Sequence, residues 1–324
     1  MGPSIPSAVA KGLYDSVRGM VAIFYLDKEI NERAQKRSTF PSTIRQRQSP
    51  SICPPRKAKT NDGSKIVQNL LQCALLNGGV YLLSVLIFEY ILLPGIGFMF
   101  ICLFSEDSFV TAKVWSWVKD LMVVIFQTAW LVPLFLLSKI INTLWFQDIA
   151  NSAFRHTRGR PVPFPSRAMY FADSVFSAVV QSLFLLQATL TSYIIPIYPL
   201  GQALYTVQMA LLYSLYSFEY KWFNLGWVLD KRLSFLEENM PYFIGFGLPL
   251  ALLTQISNSW LINGCVFSII FPLFIISGNQ ATPALTGRTF NLHLFALAMA
   301  ATNIIFFKTI RHSMKNVKPA VPVS

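Results

Sequence analysis

The chain of 324 residues is short of charge, and shortest of acids. Charged residues make up 13% of it, with 15 Asp and Glu against 27 Lys and Arg, where a soluble domain carries roughly 25%. Its apolar residues, 53% of the whole, fall in runs too long for a globular core. That excludes a free-standing soluble enzyme and predicts a polytopic membrane protein. Cysteine is also scarce. Cys53, Cys73, Cys102 and Cys265 form no CxxC or His-Cys spacing, so neither a zinc site nor a disulfide framework is implied. The three histidines, His156, His293 and His312, lie far apart in sequence with no HxxxH or HExxH spacing, and neither GxSxG nor a phosphate-cradling glycine loop occurs. No catalytic, metal or cofactor site is expected, and the chain reads as a non-enzyme. The first 30 residues alternate apolar and charged groups in place of the apolar core of a signal peptide.

What is present is basic and apolar by turns. The formal charge of +12 fits the cytoplasmic face of a bilayer, where untranslocated loops gather Lys and Arg, better than it fits nucleic acid. In residues 7 to 36, Val9, Leu13, Val17, Met20, Val21 and Phe24 recur at steps of three and four, with Lys11, Asp15 and Arg18 on the other side. That is an amphipathic helix. It either lies in the headgroup plane with Leu13, Val17 and Phe24 as anchors, or packs on the rest of the protein. From 36 to 65, eight basic residues face Asp62 alone, interrupted by prolines 41, 50, 54 and 55. Such a segment cannot bury enough apolar surface to order itself, and beside a membrane it suits anionic lipid.

Six apolar stretches follow, at 70 to 104, 121 to 138, 175 to 196, 201 to 218, 243 to 276 and 290 to 307; a spanning helix needs about 20 residues. Lys and Arg outside them divide 24 to 3 if every stretch crosses. The expectation is thus six crossings with both termini cytoplasmic. The stretches 70 to 104 and 243 to 276 are over-long, and Pro94-Gly95 in one, and Ser257-Asn258-Ser259 with Asn263-Gly264 in the other, are candidate breaks. A re-entrant hairpin is tolerated where protein or water satisfies its backbone, but at 243 to 276 it would upset the charge count, whereas at 175 to 218 it would not. The fold class is all-α, a polytopic membrane helix bundle of about six transmembrane or re-entrant segments with an amphipathic N-terminal helix. Its parts are a cytoplasmic-face helix (1–37), a disordered basic linker (38–66), a transmembrane domain (67–310) and a cytoplasmic tail (311–324).

Glu89 is the one acid well inside a predicted span, and an ionisable group at that depth is a candidate functional residue; a structural pairing is the alternative. Glutamines 127, 181, 187 and 208 lie within spans and are expected to hydrogen-bond between helices. The loop Gly159-Arg160-Pro161-Val162-Pro163-Phe164-Pro165-Ser166 is too rich in proline for helix. It reads as a stiff spacer, or as a partner-docking loop through Arg160, Pro163, Phe164 and Pro165. Tyr14-Asp15-Ser16-Val17 and Phe146-Gln147-Asp148-Ile149 have the aromatic-x-x-aliphatic form of ligands for autophagy ubiquitin-like modifiers.

Several ordered strings resemble one family. They include Gln72-Cys73 with Asn77-Gly78-Gly79-Val80, Val114-Trp115-Ser116-Trp117, Trp145-Phe146-Gln147-Asp148-Ile149-Ala150 and Leu211-Leu212-Tyr213-Ser214-Leu215-Tyr216. Phe218-Glu219-Tyr220, Gly245-Phe246-Gly247-Leu248-Pro249-Leu250-Ala251 and Phe271-Pro272-Leu273-Phe274-Ile275-Ile276-Ser277 continue the match. Over roughly 8 to 310 the chain is similar to the etoposide-induced protein 2.4 homologue family of endoplasmic-reticulum membrane proteins. The resemblance implies a protein required for autophagy, in the maturation of autophagosomes to degradative autolysosomes, with links to growth suppression and apoptosis and with autophagy- or apoptosis-related partners. It carries no agreed catalytic residue and no cofactor. A remoter likeness in layout to bacterial sulfate permeases keeps an anion or solute permease open as the alternative.

Overall fold

The computed structural model describes residues 4–39, 66–104, 109–159, 161–162, 166–195, 197–257, 260–283 and 293–316. Among them there are helices and no strand, the all-α class expected. Four stretches are long and apolar enough to cross a membrane: Ile66–Phe104, Lys113–Arg155, Ala168–Ile194 and Ile262–Gln280. Two compact units result, one of Met1–Gly19, Arg158–Leu252 and Ser277–Ser324, the other of Met20–Thr157 and Leu253–Ile276. The basic segment 40–65 lies outside the described residues.

Helix α1 (Ile5–Thr39) joins the first unit over its part up to Gly19. Ala8, Gly12, Asp15, Ser16 and Gly19 form its buried face, while Leu13, Tyr14, Val17 and Val21 point out. Small residues permit close backbone approach: a Cβ on Gly12 would strike the Tyr242 carbonyl, and one on Gly245 the Val9 carbonyl. Asp15 accepts the Tyr242 hydroxyl at 2.7 Å, and the Ser277 hydroxyl donates to the Ser16 carbonyl at 2.8 Å. The helix packs by its small face and leaves Leu13, Tyr14, Val17 and Val21 exposed.

In the second unit, α2 (Ile66–Phe104) runs 39 residues. Phe109–Phe126, Gln127–Leu131 and Val132–Thr157 follow one another without a break as α3. The break expected at Pro94-Gly95 is absent. Instead the turn before each proline widens, at Phe88–Leu92 ahead of Pro94 and at Gln127–Leu131 ahead of Pro133. Leu93 donates to the Phe88 carbonyl and Val132 to the Gln127 carbonyl, five residues back. Proline removes a donor and crowds the preceding turn, and a local π-turn absorbs the mismatch without breaking the helix. Phe88 stacks on Phe126 at 3.9 Å, and Trp115 lies against Gly97, so the two helices are antiparallel. Tyr81, Val85, Leu131 and Cys265 form one core cluster, and Ile66, Ile149, Ala153 and Ile276 another. Asn77 and Asn142 exchange amide hydrogen bonds at 3.0 and 3.1 Å between α2 and α3.

The first unit holds α4 (Arg167–Ile194), α5 (Leu200–Asn224), α6 (Leu229–Glu238) and α7 (Met240–Leu253). It also receives the end of α8 (Trp260–Gln280) and holds α9 (Ala296–Asn316). The stretch 243 to 276 is broken near Ser257, as its sequence suggested, where Asn263 bonds the Ser257 amide and carbonyl at 3.2 and 2.7 Å. Its first end and the end of α8 both meet α5. Ser214 donates to the Phe243 carbonyl at 2.6 Å, while the Lys221 ammonium donates to the Gly278 and Ala281 carbonyls at 3.2 and 2.6 Å. α7 and α8 are thus separate helices on either side of that break.

The last apolar stretch, 290 to 307, contains the first part of α9. Phe295 stacks on Phe184 at 4.0 Å and Phe306 lies 5.3 Å from Phe176, so α9 starts deep along α4 and runs back toward Arg167. Its apolar part, Ala296–Phe306, is about 16 Å long, roughly half a bilayer core. A tag inserted in the segment 284–292 should therefore be digested by protease in intact microsomes together with a C-terminal tag. Six full crossings would protect the inserted tag and expose the C-terminal one.

Candidate functional site

The most concentrated chemistry of the first unit is a buried ion cluster that grows from three helix ends. Ser166 caps α4, its hydroxyl accepting from the Met169 amide at 3.0 Å. From there Asp173, Ser177 and Gln181, four residues apart, line one face of the helix. At the end of α5, Gly226 adopts φ +71°, the left-handed conformation that glycine takes without steric cost. The Trp227 amide then bonds back to the Trp222 carbonyl at 3.0 Å and the chain turns into α6. Asp173 reaches across to cap α6, accepting from the Leu229 amide at 3.0 Å. One turn into α6, Arg232 points back into the gap.

Arg232 is fully buried. Its Nε donates to the Trp227 carbonyl at 3.0 Å, Nη1 to Glu219 Oε1 at 2.9 Å, and Nη2 to Asp173 Oδ2. Its guanidinium lies 4.0 Å from the Phe223 ring centroid. Glu219 also accepts from Ser177 Oγ at 2.5 Å and from Gln181 Nε2 at 2.7 Å. Burial pulls the Arg232 guanidinium down to about 10, which still leaves it charged at neutral pH. Two carboxylates surround one cation, and the hydroxyl and amide donors spread the excess negative charge. With both oxygens of each carboxylate engaged, the cluster ties α4, α5 and α6 together.

A second carboxylate works at another helix end. Glu237 of α6 accepts the Phe295 amide at 3.0 Å, at the start of α9, and meets His293 Nδ1 at 2.9 Å. Three of the four glutamines bond between elements: Gln181 to Glu219, Gln187 to the Leu294 carbonyl at 3.2 Å and Gln208 to Thr191 at 3.1 Å. Gln127 is exposed on α3. No group of three or more His, Cys, Asp or Glu that could hold a metal occurs among the described residues.

Sequence reasoning missed Asp173, Glu219 and Arg232. Asp173 and Glu219 fell just outside predicted spans and Arg232 in the loop between two of them, where a charge looks ordinary. The signal was available: Asp173-x3-Ser177-x3-Gln181 is a polar stripe on a helix, and Glu219 and Lys221 interrupt an apolar one. Glu89 belongs to the second unit and lies in the π-turn of α2 with its side chain exposed. Leu13 and Val17 lie exposed on α1 in the first unit; Phe24 is helical, and its side chain lies outside the described residues. Arg160, Pro163, Phe164 and Pro165 lie outside the described residues too. Phe146 and Ile149 are buried, which removes that string as a linear ligand, whereas Tyr14 and Val17 are exposed.

The family described as sulfate transporter CysZ/etoposide-induced protein 2.4 matches residues 61–262, from the start of α2 into α8. The chain belongs to this family. Ectopic P granules protein 4 of Caenorhabditis elegans is 32% identical over 191 residues, which are 58% of this chain and 59% of the nematode protein. Two proteins named Protein EI24 homolog also align. That of Arabidopsis thaliana is 27% identical over 68% of this chain and 76% of its own length. That of Dictyostelium discoideum is 28% identical over 67% and 66%. The chain thus spans less than two thirds of the length of the nematode relative. No solved structure matches it significantly.

Replacing Arg232 by Lys keeps one charge but cannot serve the Trp227 carbonyl, Glu219 and Asp173 with the same planar fork. Denaturation in detergent micelles should show a loss of about 1 to 3 kcal/mol, the usual cost of a buried acceptor left without its donor.

Proposed function

We propose that this family member is an endoplasmic-reticulum multi-pass protein required for autophagy, acting where autophagosomes mature into degradative autolysosomes. It acts as a membrane-embedded scaffold without chemistry of its own. Family membership carries the proposal, and the use of the buried charges supports it. Asp173, Glu219 and Arg232 are committed to one another and to the ends of helices, which is how a rigid framework spends ionic groups. Both termini are cytoplasmic in this reading. The exposed Leu13 and Val17 of α1 anchor in the headgroup plane, and residues 36 to 65 meet anionic lipid. Growth suppression, apoptosis and protein partners from those processes belong to the same proposal.

A permease is the second reading. It is favoured by the sulfate transporter in the family's description, by the break between α7 and α8, and by Glu89 at membrane depth. The two part at Glu89, because Glu89→Gln keeps size and hydrogen-bonding reach but removes the charge. In null cells expressing Glu89→Gln at normal abundance, autophagic cargo degradation should be fully restored. Purified protein in liposomes should pass sulfate no faster than empty liposomes. Failed rescue by a folded, correctly located variant, together with sulfate flux, would establish the permease.

A further inference from the structure

The α2–α3 hairpin is longer than a membrane is thick. At 39 residues α2 extends about 58 Å, against a hydrocarbon core of about 30 Å. The charges of α3 locate the part that crosses. Residues 121–138 carry no charge and lie between Lys119-Asp120 and Lys139; at 1.5 Å per residue they extend about 27 Å. The pairing of Phe88 with Phe126 and of Gly97 with Trp115 places Asp120 level with the start of the segment Leu93–Phe104. Everything past that level, residues 95–104 of α2 and 109–119 of α3, is in excess of one crossing.

This excess is two-sided. Inside, Phe100 packs on Trp115 at 5.4 Å, and Gly97 admits the Trp115 ring. Outside, α2 exposes Phe98 (70%), Met99 (62%) and Leu103 (73%), with no polar side chain among residues 95–104 except the Cys102 thiol. The outer face of α3 exposes Lys113, Ser116 and Lys119, with Asp120 just beyond and Trp117 (74%) beside them. An apolar face backed by lysines and an exposed tryptophan is the composition of the membrane–water interface, where long basic side chains reach headgroups and indole rings sit at their level.

We propose that the tip of the α2–α3 hairpin is an amphipathic slab seated on lipid at the membrane–water interface, with Phe98, Met99 and Leu103 among the upper acyl chains and Lys113, Ser116 and Lys119 toward water. The hairpin is then part crossing and part interfacial anchor, independently of α1. The partner is a lipid surface. A second protein chain, or burial of the tip across the core, is the outcome that would replace it.

Cys102 is exposed on the apolar side, while Cys73 and Cys265 are buried. Full-length Cys53→Ser protein, labelled at Cys102 with an environment-sensitive fluorophore, is reconstituted in phosphatidylcholine–phosphatidylethanolamine vesicles. It is compared with Cys53→Ser/Cys102→Ser/Ser116→Cys protein labelled at position 116. The Cys102 probe should emit further to the blue. It should be quenched several-fold more by nitroxide lipids than the probe at 116, and more by a nitroxide near the headgroup than by one near the acyl terminus. A water-soluble quencher should favour the probe at 116. Equal quenching of both probes from water, stronger quenching of Cys102 by the deep nitroxide, or protection of Cys102 from every quencher would each overturn the proposal. These outcomes point respectively to a solvated tip, a tip within the core and a tip covered by protein.

Discussion

A guanidinium enclosed by helices has to find acceptors, and much of the first unit can be read as the way Arg232 finds them. The turn at Gly226 delivers the Trp227 carbonyl, the stripe on α4 delivers Asp173, and the end of α5 delivers Glu219. Each acceptor comes from a different segment, so the cation fixes α4, α5 and α6 together. Taking two charges out of water costs several kcal/mol per ion, and hydrogen bonds to all the lone pairs are what offset it. Ser177 and Gln181 supply those bonds to Glu219. The cluster specifies an arrangement more than it adds stability.

The same accounting of polar groups governs the broken helices. A helix that stops within apolar surroundings leaves amides or carbonyls unpaired, and here side chains meet them. Asn263 closes the break at Ser257, Lys221 takes the carbonyls of Gly278 and Ala281 at the end of α8, and Glu237 takes the Phe295 amide ahead of α9. In α2 and α3 the constraint is met differently, since the π-turns ahead of Pro94 and Pro133 keep each helix continuous.

Composition and apolar run length were enough to predict a helical membrane protein, because both measure transfer to lipid directly. The amphipathic period of α1 was legible, and its stripe of Leu13 and Val17 does face outward. Its docking was hidden in the residues between, Ala8, Gly12, Ser16 and Gly19, whose role is to be small. How the helix ends are satisfied was not legible, because Lys221 and Glu237 are single polar residues whose partners lie 57 to 60 residues away in sequence. The ion cluster was missed for a related reason. Asp173 and Glu219 sit at the edges of apolar stretches and Arg232 in a loop between two, where exposure is the default assumption and only the fold brings them together.

If the cluster is a closed electrostatic unit, its members must be strongly non-additive. The direct test is the denaturation free energy, in detergent micelles, of Arg232→Met alone and of Arg232→Met combined with Asp173→Asn and Glu219→Gln. Removing the arginine alone strands two largely enclosed carboxylates, 11% and 15% exposed, and should cost about 3 to 5 kcal/mol. Neutralising all three should recover most of that loss, because no uncompensated charge remains. A triple variant as unstable as the sum of its separate substitutions would contradict the account and make Arg232 an ordinary packing residue.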